Sequence, residues 1–164
     1  MTRLGLWIIL YAVSVQYGCA PLKTPVVITN ESMHGYKYIF ITPTNNLTSG
    51  SASTYGGEYG IYRITTNKSI NPGDVISGNL LKKGFIRVPE IRMEHLDETI
   101  VINYGESGRR NRGFGYTIEV TIQFISAKTH QQICSCTAEG QGETEADDIR
   151  MAINRCLSAM IPSN

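Results

Sequence analysis

"FGYTIEVTIQF", residues 114–124, decides the fold. Phe114, Tyr116, Ile118, Val120, Ile122 and Phe124 alternate with Gly115, Thr117, Glu119, Thr121 and Gln123, a strict period of two. A strand of this kind buries one face and wets the other, which argues for an antiparallel sheet. A turn through residues 126–130 then leads to residues 132–139 as a hairpin partner.

Upstream, residues 36–42 (YKYIFIT) are aromatic and β-branched, stop at Pro43 and read as a strand. Residues 85–91 (FIRVPEI) form a second, its proline placing it near an edge, and residues 99–104 (TIVINY) a third. The polar stretch 44–60 reads as a flexible loop, with a short edge strand over 61–66. Asn71-Pro72 opens a helix whose face carries Val75, Ile76, Leu80 and Leu81, and Gly84 closes it. Thr144 and Asp147 stand in capping-box spacing before a second helix, with Ile149, Ile153, Cys156 and Met160 on one face. These elements predict an α+β fold. It is a two-layer sandwich with a mainly antiparallel sheet of four to five strands and two helices on one face.

The chain has 164 residues, 15 basic against 14 acidic, enough for one ordinary domain. It begins with Arg3 and a twelve-residue apolar run, Leu4 to Val15, then Gly18-Cys19. The run is too short to cross a membrane as a helix and suits a signal peptide. Without Arg3 the charges balance, which leaves no electrostatic footprint for nucleic acid. The expected organisation is a signal peptide over 1–18, a tether over 19–30 and one domain over 31–164.

Gly18-Cys19 after this run resembles the lipobox of bacterial lipoproteins, although Gln16 and Tyr17 depart from its usual residues. Loose lipoboxes of this kind are similar to those of Bacteroidota. The pattern of 70–85 ("INPGDVISGNLLKKGF"), the meander and 140–157 ("GQGETEADDIRMAINRCL") resembles small envelope α/β domains such as the amino-terminal domain of TolB. The resemblance implies fatty acylation of Cys19 and a protein held on the outer membrane, facing the periplasm.

Cys134 and Cys136 share one strand face with Ala138, and Cys156 lies on the inner face of the last helix. In an oxidising compartment Cys156 is placed to bridge one of them, Cys136 or alternatively Cys134. No spacing here suits a metal, and no motif implies a cofactor. Arg109, Arg110 and Arg112 are the one local cluster of positive charge, a candidate contact for a partner or an anion. Glu90, Glu94, His95, Asp97 and Glu98 carry the acid–base residue types a small hydrolase or transferase would need in one pocket. A turn between strands gives the same composition without chemistry. The expectation is therefore a non-enzymatic, lipid-anchored envelope protein that binds another envelope protein or peptidoglycan. Alternatives are a small periplasmic enzyme or a soluble secreted binding domain.

Overall fold

The alternating stretch becomes β7 (Gly115–Ser126), at the centre of a six-stranded sheet in the computed structural model. The structure describes residues 21–43, 47–57, 60–112 and 115–162, with backbone alone for 47–68. Ile118, Val120, Ile122 and Phe124 are buried, as the alternation predicts, whereas Tyr116 is exposed and Phe114 lies outside the described residues. Flanking β7, and antiparallel to it, are β6 (Thr99–Arg112) and β8 (Gln132–Gly140). Antiparallel β1 (Val26–Thr29) borders β8, while β2 (Tyr38–Ile41) runs parallel to β6 and β5 (Ile86–Arg87) parallel to β2.

The sheet order is β1-β8-β7-β6-β2-β5, so the expected mainly antiparallel sheet of four to five strands is corrected to a mixed sheet of six, antiparallel from β1 to β6 and parallel from β6 to β5. Parallel neighbours need long crossovers, and β2 reaches β5 only after a hairpin and a helix. The hairpin is β3 (Leu47–Gly57) with β4 (Gly60–Ile70), paired antiparallel along their length. The stretch 44–60 is thus for the most part strand and not a loop. Pairing with β4, rich in threonine and isoleucine, supplies the partner its own composition does not advertise. The tether reading of 19–30 is corrected too, because Val26–Thr29 is a sheet strand. Of 85–91, Ile86–Arg87 forms the strand at the sheet edge, and the Val88 amide continues the bonding to the Ile39 carbonyl.

Helix α1 (Pro72–Leu81) starts at Asn71, whose side chain accepts from the Asp74 amide, and the chain leaves it through Gly84 at φ 91°. Ile76 and Leu80 are buried, while Leu81 is 51% exposed. One residue turns a helix by about 100°, so Leu81 cannot share the direction of Leu80. Helix α2 (Glu145–Met160) is capped by Thr144, which accepts from the Asp147 amide. It lies against β7 and β8 and touches α1. Ile149, Ile153, Cys156 and Met160 are all buried, joined by Ala146, Ala152 and Leu157.

Along β8 the helix-facing residues are Cys134, Cys136, Ala138 and Gly140, a series that shrinks toward the start of α2. At Gly140 a Cβ would stand 1.8 Å from the Asp148 carbonyl oxygen and 2.7 Å from the Ala152 nitrogen. Backbone cannot be moved aside as a flexible side chain can. Gly140→Ala is therefore expected to cost about 2–3 kcal/mol, read as a fall in the urea midpoint at constant slope. Gly78, in the middle of α1, has nothing within 4 Å of its Cβ position. Gly78→Ala should raise stability by up to about 1 kcal/mol in the same assay.

Candidate functional site

The three arginines of the positive cluster lie within β6, which runs on to Arg112 where sequence reading expects a hairpin connection. A β-bulge between Glu106 and Gly108 inserts Ser107 and shifts the register. Before the bulge, even residues of β6 such as Ile100 and Ile102 share the core face with the even residues of β7. Beyond it the phase reverses: Arg109 stands opposite Ile118 on the helix side, and Arg110 opposite Thr117 on the other. Adjacent strand residues always take opposite faces, and the one extra residue decides that Arg109 takes the helix side and Arg110 the other.

On the helix side Arg109 reaches both carboxylate oxygens of Glu106 and, at 2.7 Å, Oε1 of Glu145 in the first turn of α2. Its guanidinium carbon also lies 5.3 Å from the Tyr116 ring centre. Hydrogen bonding to Arg109 holds the Glu106 carboxyl below its ordinary range, and the two glutamates hold the Arg109 guanidinium above its own. On the far side Arg110 grips Glu139 in bidentate fashion, Nε to Oε1 at 2.8 Å and Nη2 to Oε2 at 2.6 Å. Arg112 donates to Oε1 of Gln141. The cluster is committed within the chain; it is not a row of free cations in solvent.

Glu139 is the hub. Its side chain is 2% exposed, and besides Arg110 it accepts from the Lys23 amide at 3.0 Å, with the Lys23 ammonium 3.5 Å away. The Arg110 bond dominates, the Lys23 amide adds to it, and together they outweigh burial and draw the carboxyl down to about 2. Arg155 of α2 donates to the carbonyls of both Glu139 and Lys23. Strand β8, helix α2 and the incoming chain are therefore clamped at one point. Sequence reading missed Glu139; its signal is a single carboxylate next to the glycine that ends β8.

Cys136 and Cys156 are joined in a disulfide, Cα atoms 5.5 Å apart, while Cys134 is a buried free thiol. Burial pushes the Cys134 thiol up to about 11, and its sulfur lies 3.8 Å from the Met160 sulfur. Cys19 lies outside the described residues.

The acidic cluster is a 3-10 turn, Met93–Glu98, with no buried residue. Glu94 and Asp97 are about two-thirds exposed, Asp97 pairing with Lys128 and Glu90 with Arg92. His95 stacks on the Tyr38 ring at 4.5 Å. Arg92 lies between Glu90 and Glu94, and His95 Nε2 is 3.9 Å from Glu94 Oε1, while Asp97 turns to Lys128 instead. Among the described residues no group of His, Cys, Asp and Glu is placed to hold a metal. A cavity of about 520 Å³ opens between the C-terminal halves of the two helices, lined by Asn79, Lys82, Leu157 and Ile161 among others, without acid–base pairs.

No family model matches the chain, and no curated protein does. Several solved chains are similar, two of them as follows. One is a point variant of the PelC dodecamer from Paraburkholderia phytofirmans, 14% identical with a TM-score of 0.48, over 82% of this chain and 94% of that one. The other is the PelC dodecamer from the same organism, 12% identical with a TM-score of 0.47, over 86% and 99%. Likeness at this level carries no statement about what this chain does.

The clamp makes a signed prediction about pH. Glu139 ionises near 2 when folded and near its ordinary 4.5 when unfolded, so its contribution is complete above pH 4.5 and is lost as pH falls through 2. Glu139→Gln should flatten that acid limb of the stability profile. It should also speed hydrogen exchange at the Lys23 amide while leaving β7 amides protected.

Proposed function

We propose that this chain is a lipid-anchored envelope protein of Bacteroidota type, acylated at Cys19, whose body binds another envelope component without catalysing a reaction. The observation that carries the reading is the clamp on Lys23, four residues after Cys19. Four residues span at most about 14 Å, so an acyl group on Cys19 keeps the Lys23 end of the body within that distance of its anchor. The apolar leader before Gly18-Cys19 supports the anchor, and the Cys136–Cys156 bridge suits an exported chain. Diacylation plus a third chain buries dozens of methylenes at roughly 0.8 kcal/mol each, which makes anchoring effectively permanent.

In this reading the body is a two-layer module on the periplasmic side of the outer membrane. Its helices cover one face of the sheet, and the second face, with Thr121 and Thr137 bonded across strands at 2.8 Å, meets a protein or peptidoglycan partner. The water-facing placement of Glu94 and Asp97 favours binding over hydrolysis or group transfer. The test is metabolic labelling with a radioactive fatty acid in cells making the wild-type chain or Cys19→Ala. Label in the wild type alone is expected; no label in either, or equal label in both, overturns the proposal.

A further inference from the structure

Two cysteines of β8 face the same helix, and α2 bonds one of them. Cys134, Cys136 and Cys156 are all buried, so the free thiol and the bridge lie in one seam. Cys134 is two residues from Cys136, about 6.7 Å along a strand, and Met160 is four residues from Cys156, about 6 Å along a helix. The two elements therefore step together: as Cys156 meets Cys136, Met160 meets Cys134, their sulfurs 3.8 Å apart. From this seat Cys156 reaches Cys136 and lies about one helical turn from a bond with Cys134. Before α2 is seated, nothing local makes that choice. Cys136 and Cys156 are 20 residues apart, and Cys134 lies two further. Loop closure separates the two pairings by only about 1.2-fold, so a chain oxidised before its helix docks closes either bridge with similar frequency.

We propose that Cys134 is an internal exchange thiol, which lets a chain first bridged Cys134–Cys156 convert to Cys136–Cys156 and which α2 then shuts away under Met160. In the conversion the Cys136 thiolate attacks the Cys156 sulfur. The Cys136–Cys156 bond forms as the Cys134–Cys156 bond breaks, and Cys134 leaves as a thiolate that takes up a proton. No net oxidation or reduction occurs, so the exchange needs no outside thiol. Docking of α2 both selects the product and ends the exchange. The thiol then has neither its target within reach nor water to stabilise its ionised form. Burial pushes the Cys134 thiol from an ordinary 9.0 up to about 11, which leaves roughly a hundredfold fewer thiolates near pH 8. The inference depends neither on acylation of Cys19 nor on what the body binds.

The test uses the chain as Cys19→Ala, in which Cys134, Cys136 and Cys156 are the only cysteines. In urea at about pH 8.5, with no added thiol, the native bridge should spread until Cys134–Cys156 and Cys136–Cys156 agree within about threefold. Trapping with a maleimide in mild acid, then tandem mass spectrometry of the linked peptides, places the label on Cys134 or Cys136. Dilution of that mixture out of urea should return Cys136–Cys156 to an excess of about tenfold or more, at a rate independent of protein concentration. Cys136→Ala, whose bridge is confined to Cys134–Cys156, should unfold at a lower urea midpoint than Cys134→Ala, which keeps the native bridge. A bridge that stays on Cys136 throughout in urea overturns the proposal. So does a mixture that recovers only with an added thiol or at a rate that scales with protein concentration, or a Cys136→Ala chain as stable as Cys134→Ala.

Discussion

Helix α2 lies on β8 so closely that one position admits no side chain, and most of what distinguishes this fold follows from that approach. Gly140 sits beneath the Asp148 carbonyl and the Ala152 nitrogen. Ala138, Cys136 and Cys134 continue the seam away from the closest contact, with larger side chains where the gap widens. At Cys136 the two elements are near enough for a bond to Cys156, which closes a loop worth about 3 kcal/mol of chain entropy. The same approach buries Asp148, whose carboxyl is raised by desolvation even as it accepts from the Gly142 amide. It also delivers Arg155 to the carbonyls of Glu139 and Lys23. The helix that covers the sheet thereby also fixes the entering chain.

Electrostatics here serves assembly of the fold. Three arginines within four residues suggest a surface waiting for an anion, yet strand alternation divides them between faces, the bulge at Ser107 sets which face each takes, and each finds a partner inside the chain. Arg109 ties the end of β6 to the start of α2, where acidic residues already suit the helix dipole. Arg110 neutralises the one carboxylate buried in β8. A buried glutamate without such a partner would be costly, so its position is tenable because the bulge exists.

Period-two alternation in β7 and the caps at Asn71 and Thr144 were legible in the sequence because they are local, set by neighbours within a few residues. The course of β2 was not. Its residues announce a strand but carry no information on direction, which depends on the crossover through β3, β4 and α1. Val26–Thr29 looked like part of a tether for a similar reason: its four residues are a strand only because β8 has a free edge. The bulge at Ser107 has no glycine at the inserted position to mark it, and without it the two faces of Arg109 and Arg110 are assigned wrongly. The candidate site was half readable: the arginines stand out as a cluster, while the buried carboxylate that organises them looks like any polar residue of a half-wet strand.

The fold depends on α2 being seated along β8 with Cys156 over Cys136, and peptide mapping of the native chain tests this most directly. Alkylation under denaturing, non-reducing conditions followed by trypsin leaves Cys134 and Cys136 in residues 129–150 and Cys156 in residues 156–164. The seating described here yields these two peptides linked through Cys136 and Cys156, with the alkyl label on Cys134. A label on Cys156, or a link from Cys156 to Cys134, would contradict it.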